Sequence, residues 1–331
     1  MQRKFFFEQQ LFDLILGPIR WEVFKFSLEN NLFDWLSKDV SSKELSKKFN
    51  WCPTHLELIL NALTSMDILS KKNQFFKLKE AYLPLLSGPK STDFKKTLLH
   101  LNKIKHINFD SMSNAVKGIQ DTRIFHENYW TEAANGLLSF HKSIRNKILI
   151  SELIKSNILV EDFKLLDIGA GSSTLAKEIL NIVPSMQFDL FDLPHCAEMI
   201  EEQIPSHSKN MIKTIKGDMN KSTFLKKYNV VLTSMCLYFS KNISDTLQKI
   251  KNALLPDGYF VSFHECISKD RTKPQFHVVG RLPIELRNGP LSLDNEAFKK
   301  NILNIFEKIS YQKKLNTPFG TMEILIAQKS N

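Results

Sequence analysis

Residues 163–173 read Phe-Lys-Leu-Leu-Asp-Ile-Gly-Ala-Gly-Ser-Ser, with Asp167, Gly169 and Gly171 in a D-x-G-x-G spacing. Lys164 to Ile168 has the apolar run of a short strand. Thr174 to Ile182 has the period of a helix, with Leu175, Ile179 and Ile182 on one face. Two glycines between a strand and a helix let a backbone approach a ligand where a side chain would block it. Glycine is scarce here, 11 in 331 residues, which makes the pair more informative. No Gly-Lys-Ser/Thr follows, so the loop is not a P-loop, and Thr174 stands where a third dinucleotide glycine would fall. A nucleoside without a pyrophosphate fits this loop better than a dinucleotide.

Downstream, strand and helix alternate. Met186 to Phe191 reads as a second strand ending in Asp192-Leu193-Pro194, and Met211 to Ile215 as a third, followed by Gly217-Asp218-Met219. Asn229 to Met235 is a fourth strand and Ile243 to Leu254 a helix. Pro256-Asp257-Gly258 is a turn, Tyr259 to Phe263 a fifth strand and Thr321 to Ala327 a late one. This order predicts a mostly parallel sheet with helices on both faces. Ligands of such sheets bind beyond the carboxyl ends of the strands. Asp192, about twenty residues past the glycines, could accept both hydroxyls of a ribose, and Asp218 could face an adenine or the ribose edge.

The first hundred residues are of another kind. Leu11, Leu14 and Ile15, then Trp21, Phe24 and Leu28, fall at helical spacing. Ser41-Ser42-Lys43-Glu44 has the capping-box pattern, and Pro53 suits the first turn of a helix carrying Leu56, Ile59, Leu60 and Leu63. Ile68-Leu69, a polar turn from Ser70 to Asn73, and Phe75 to Leu78 read as a hairpin. Helix, helix, hairpin is the order of a winged helix. A DNA-reading helix needs basic or amide side chains, yet Pro53 to Met66 has no lysine or arginine and carries Glu57. The module is therefore expected to pack or dimerise rather than read nucleic acid. Between the two regions, helices connect, with Trp130, Phe140 and His141 placed where a helix could face a pocket. A surface or internally satisfied histidine is the plainer reading of His141.

Lysine and arginine exceed acids by 45 to 35, a net charge of +10, but the lysines are dispersed in pairs such as Lys47-Lys48 and Lys226-Lys227. That is the pattern of a solvated basic surface. Cys52, Cys196, Cys236 and Cys266 are far apart and form no C-x-x-C pair, so neither a metal site nor a disulfide framework is expected. No apolar run approaches the ~18 residues of a membrane span. A cytoplasmic, reduced protein is the expectation.

The motifs together resemble the S-adenosylmethionine-dependent small-molecule O-methyltransferases of the dimeric type, which include plant phenolic, bacterial polyketide and acetylserotonin enzymes. Leu166-Asp167-Ile168-Gly169-Ala170-Gly171 resembles their first cofactor motif and Phe191-Asp192-Leu193-Pro194-His195 their D-L-P-H segment. Gly217-Asp218-Met219 is similar to their G-D-M turn, Leu255-Pro256-Asp257-Gly258-Tyr259 to their L-P-x-G-G turn, and Phe263-His264-Glu265 to the strand end that carries a catalytic-site glutamate. The resemblance covers nearly the whole chain. It implies a Rossmann-like α/β class I methyltransferase domain over 161–331, connecting helices over 101–160, and a winged-helix-like dimerisation domain over 1–100. It implies S-adenosyl-L-methionine as cofactor, held by Asp167, Gly169, Gly171, Asp192, Leu193, Asp218, Met219 and Ser234. It also implies a small, aromatic or secondary-metabolite acceptor and a homodimer.

Two departures stand out. Ser172-Ser173 replaces a further glycine of the first motif. Leu237-Tyr238-Phe239-Ser240 stands where the family has a segment resembling L-H-D-W, so Tyr238 occupies the place of the proton-accepting histidine. A phenol titrates near ~10 and is a poor base, which leaves Tyr238 a positioning role and turns attention to His264 and Glu265. Three readings stay open: oxygen methylation; the same cofactor fold acting on nitrogen or carbon, or without methyl transfer; and a non-enzymatic regulator.

Overall fold

The computed structural model describes residues 5–119 and 129–330. Two compact units meet between Leu99 and His100.

In the first unit, Phe6–Glu29 is one helix of 24 residues. Ser41 caps the helix Ser42–Phe49: its hydroxyl accepts from the Glu44 amide at 3.2 Å, and the Glu44 carboxylate accepts from the Ser41 amide at 2.8 Å. Both orphan donors of the first turn are thereby satisfied. Pro53 opens the helix Pro53–Ser65, where its missing N–H is of no consequence. Strands β1 (Val40–Ser41), β2 (Leu69–Lys72) and β3 (Phe75–Leu78) form an antiparallel sheet in the order β1-β3-β2. The hairpin turn is tighter than the sequence suggested. Ser70 to Lys72 join the ladder, and Asn73, at φ +53°, carries the turn with Gln74. Asparagine tolerates that left-handed conformation better than most residues. Leu32, Phe33, Leu36, Leu60, Leu63 and Phe76 are fully buried in this unit's core.

The second unit is built on a seven-stranded sheet. Its strands are β4 (Lys164–Ile168), β5 (Gln187–Asp192), β6 (Ile212–Lys216), β7 (Tyr228–Ser234), β8 (Leu254–His264), β11 (Ile309–Thr317) and β12 (Gly320–Gln328). A separate parallel pair joins β9 (Cys266–Ile267) to β10 (Leu293–Asp294). The large sheet runs β11-β12-β8-β7-β4-β5-β6. The pairs β6-β5, β5-β4, β4-β7 and β7-β8 are parallel, and β12 and β11 add antiparallel strands at one edge. One core, around Leu165, Leu190, Val230 and Phe263, packs on one face. Another, around Leu166, Val231, Phe260 and Phe298, packs on the other. The chain leaves β6 and crosses to β7 on the far side of β4, so the topological switch lies between β4 and β7. Crevices at such points take ligands. The Pro256-Asp257-Gly258 turn is a bulge inside β8: Leu254 pairs with Tyr228, and the ladder resumes only at Tyr259 with Val230.

Candidate active site

At the carboxyl end of β4, Gly169 and Gly171 both have left-handed backbones, φ +69° and +64°. What each glycine makes room for is more local than expected. A Cβ on Gly169 would sit 2.7 Å from the Cβ of Cys236, and one on Gly171 would sit 3.2 Å from the ring of His141. The Gly169 amide donates to the Phe191 carbonyl at 2.8 Å, and the Cys236 thiol donates to the Ile168 carbonyl at 3.0 Å. The loop is thus pinned across the switch point from both sides.

Asp192 ends β5 beneath this loop. Its Oδ2 accepts from the Gly171 amide and its Oδ1 from the Leu193 amide, both at 2.8 Å. Burial raises the carboxyl's pKa, and those two amides pull it back. The Cys196 thiol is a further, weak donor to this carboxylate, so two hydroxyls would share its remaining capacity with that thiol. Cys196 lies against it, with burial and that carboxylate pushing the thiol up to about 12. Asp167 is buried one strand away with its Oδ1 unpartnered among the described residues. Burial, reinforced by Asp192 and opposed by Arg145, raises its pKa to about 7.

Of the two serines that depart from the family pattern, Ser172 has an evident structural use. A single π-helical turn, His141–Arg145, lies between the helices Tyr129–Phe140 and Asn146–Lys155, and it buries both of its end residues. His141 Nδ1 hydrogen-bonds Ser172 Oγ at 3.1 Å, and Ser172 bonds Thr174 Oγ1 at 2.8 Å. Asn146 donates to Thr174 Oγ1 at 3.1 Å and to Glu178 at 2.8 Å, while its own carbonyl accepts twice from Arg145. Burial first, and then Arg145, hold His141 well below its ordinary pKa, so the ring is neutral. Sequence reading gave His141 only the plainer role; the hydroxyl at 172, where a glycine was expected, was the available signal for its partner.

The remaining expected residues are less tightly drawn together. Asp218 lies two residues beyond β6, and its Oδ1 accepts from the Asn220 amide at 2.9 Å, which ties the carboxylate into its own turn. Met219 is partly buried against the core on the Phe298 face. Ser234 ends β7 with a buried hydroxyl that has no partner among the described residues, and Ser173 has another. These orphaned oxygens, with Asp167 Oδ1 and the Asp192 carboxylate, suit a ligand rich in hydroxyl, ammonium and sulfonium groups. The site therefore fits an adenosyl-amino acid.

A second cluster follows the ends of β7 and β8. Tyr238 lies in the single turn Leu237–Phe239. The Arg281 guanidinium stacks on its ring, 3.9 Å from the centroid, and Nη1 donates to Glu265 Oε1. Phe239 meets Tyr238 and Trp130 edge-on, each at 4.6 Å between centroids. Burial, with Glu265 adding, raises the Tyr238 pKa far above the ordinary tyrosine value. A phenol held that firmly protonated cannot accept a proton near neutrality.

His264 does not join this cluster. Neighbours along a strand point to opposite faces. Glu265 faces Arg281, whereas the His264 ring bonds Ser262 at 2.8 Å and packs edge-on against Phe298 at 4.4 Å, in the helix layer. Burial, with Lys299, lowers its pKa to about 3. Its expected role as a substitute base has no support in this position. Arg281 is the functional candidate that sequence reading missed.

Comparison with known proteins gives the class. An O-methyltransferase domain model matches residues 102–284, more than half of the chain. Human N-acetylserotonin methyltransferase in complex with S-adenosylmethionine superposes with a TM-score of 0.75, at 15% identity over 100% of both chains. An O-methyltransferase family protein of Burkholderia thailandensis does so at 0.75, with 13% identity over 97% of this chain and 98% of that one. In sequence, chavicol O-methyltransferase of Ocimum basilicum is 32% identical over 117 residues, which are 29% of this chain and 31% of its own. An uncharacterized protein of Methanocaldococcus jannaschii is 21% identical over 261 residues, covering 76% of this chain and 69% of that one. The chain belongs to the O-methyltransferase family: it is a methyltransferase of the class I α/β fold, and the family's methyl donor is S-adenosylmethionine.

Proposed function

We propose that this methyltransferase methylates a hydroxyl of a small aromatic acceptor, with Gly169 to Gly171 and Asp192 holding the donor and Trp130, Tyr238 and Phe239 walling the acceptor. The observation that carries the reading is the junction of the two clusters at the switch point, through Cys236 and the turn that follows it. When bound, S-adenosylmethionine would supply an electrophilic methyl group: a C–O bond to the acceptor would form in line as the C–S bond breaks and neutral S-adenosylhomocysteine leaves. The Asp192 carboxylate takes the ribose hydroxyls, with Leu193 packed on the adenosine and Asp218 and Met219 beside the adenine. Asp167 and Ser234 face the amino-acid end. Positioning the acceptor oxygen supplies much of the acceleration. Glu265 Oε2, unpartnered among the described residues, is the proton acceptor, because Tyr238 is held protonated and His264 is buried elsewhere.

The protein acts as a homodimer through its first unit. Phe6, Phe7, Leu11, Phe12, Leu14, Ile15 and Ile19 are exposed along one helix, an apolar surface that a second copy would cover. A nucleic-acid role is disfavoured: the face of Pro53–Ser65 that would read DNA carries Glu57, and Lys71 is spent on Glu57 and Asn61 at 3.2 and 2.8 Å.

The test is calorimetry with S-adenosylmethionine followed by product analysis across phenols, amines and carbon acids. Absence of cofactor binding would remove the enzyme reading. Turnover of amines alone would move the acceptor atom from oxygen to nitrogen.

A further inference from the structure

Arg281 lies on the helix Gln275–Asn288, near 8% exposed, at the bottom of the aromatic cluster. Of its donors, Nη1 goes to Glu265, and the guanidinium also interacts with the Tyr238 hydroxyl. Nε and Nη2 have no hydrogen-bond partner among the described residues, and both are sealed from solvent. These two nitrogens share one edge of the planar guanidinium, and their N–H bonds run parallel. That edge is the fork that binds a carboxylate with two bonds at once. A buried charged donor without a partner is costly, so such an edge is rarely left without a function.

The surroundings have the same sign. Among the described residues Glu265 is the acid paired with Arg281, and its Oε1 is already engaged. Lys105 lies nearby, donating to the Gly280 carbonyl at 2.7 Å and interacting with both Glu265 and Arg281. Arg287 acts on Tyr129, which meets Trp130 edge-on. Among the described residues, Arg281, Lys105 and Arg287 stand against Glu265 around the aromatic walls.

We propose that the acceptor is an aromatic carboxylic acid, stacked among Trp130, Tyr238 and Phe239 and fixed by a bidentate bond from the Nε and Nη2 edge of Arg281 to its carboxylate. The proposal rests on the acceptor site described above and adds its substrate class. Arg281 is then the residue that selects acids over their neutral analogues.

The test compares 2-naphthoate with 2-naphthamide, ligands of one shape and two charges, by calorimetry with and without S-adenosylhomocysteine. The acid should bind at least tenfold more tightly. In the double variant Arg281→Gln/Glu265→Gln, which removes both charges and strands neither, the ratio should fall to about one. Arg281→Lys keeps a charge for Glu265 but lacks the fork, and should lose most of the preference. Should the double variant fail to fold, the lysine variant and the wild-type ratio still decide. Equal binding of acid and amide by the wild type overturns the proposal, and so does a preference that survives in either folded variant. S-adenosylmethionine binding is measured separately. Its loss would sink the donor-site reading, whereas the acid-to-amide ratio reports on Arg281 alone.

Discussion

The two ends of the site solve opposite problems with the same kinds of residue. At the donor end, the Asp192 carboxylate is held by two backbone amides, and His141, Ser172, Thr174, Asn146 and Arg145 bond one another in a chain. At the acceptor end, a buried arginine and glutamate meet through one side-chain bond; among the described residues each end keeps three buried polar atoms without partners, neutral hydroxyls and a carboxyl oxygen at the first, charged groups at the second. Most substitutions leave a backbone amide in place, so the clamp on Asp192 is the robust part of the site. A side-chain pair with spare donors is fragile and selective. A common donor and a particular acceptor call for that division.

The largest effect should come from breaking the fragile end. Arg281→Met removes the cation bonded to Glu265 among the described residues and strands a buried carboxylate, at a cost of about 3–5 kcal/mol. Arg281→Met with Glu265→Leu removes both charges and should restore most of that stability. Urea unfolding of the two variants checks it. A double variant as unstable as the single one would mean that the pair is held for packing and not for charge.

At the donor end, Asp167 gives the next effect, visible only against pH. Its carboxyl titrates near 7 in the folded protein, against ~3.9 unfolded. A raised carboxyl stabilises fully below about pH 4, and that contribution is lost as pH rises through 7. Asparagine cannot ionise. The stability of the wild type relative to Asp167→Asn should therefore fall by ~2–4 kcal/mol between pH 4 and pH 8. A flat or rising difference would show that Asp167 is charged throughout, paired with Arg145.

Asp192→Ala sharpens the contrast from the ligand side. The proposed hydrogen bonds from this carboxylate to ribose would be worth ~1.5–3 kcal/mol each, so cofactor affinity should fall at least tenfold in the folded variant. Unchanged affinity would detach Asp192 from the cofactor and leave it a purely structural clamp of Gly171 and Leu193.

The same contrast explains what could be read from sequence. The strands β4, β5 and β7 were legible to within a residue, because a buried parallel strand is a continuous apolar run bounded by glycine and aspartate. The glycines and Asp192 stood out for the same reason: backbone-driven features leave local patterns. The strand β11 did not stand out, because its inward-facing alternation includes Lys313, which bonds the buried Glu152 at 3.1 Å. Its ion-pair partner lies 161 residues earlier in the chain, so no window contains both. Arg281 was missed in the same way. Between Glu265 and Arg281 no period or motif joins the two, and an arginine in a helix looks like a solvated one until the fold buries it. His141 was noticed, but its partner at 172 belongs to another element. His264 and Glu265 are neighbours in sequence, yet the strand sends them to opposite faces.

The smallest effect tests which member of the acceptor cluster handles the proton. Tyr238 is the residue proposed to stand in place of a histidine base, but burial and the adjacent Glu265 raise its pKa, and a neutral phenol has no useful capacity to take another proton. Its ring, stacked under Arg281 and edge-on to Phe239, does the positioning, and phenylalanine preserves that ring. Tyr238→Phe should therefore keep kcat on a phenolic acceptor within about threefold, whereas Glu265→Gln should lose the ~10²–10⁴ that a general base contributes. His264→Ala, remote from the cluster, should act on stability and leave kcat near wild type. If Tyr238→Phe abolishes turnover while Glu265→Gln does not, the hydroxyl is a direct participant and the proton path assigned to Glu265 is wrong. If neither changes kcat, the acceptor arrives already ionised or unprotonated, and the cluster's contribution reduces to Arg281 and the aromatic walls holding it in line.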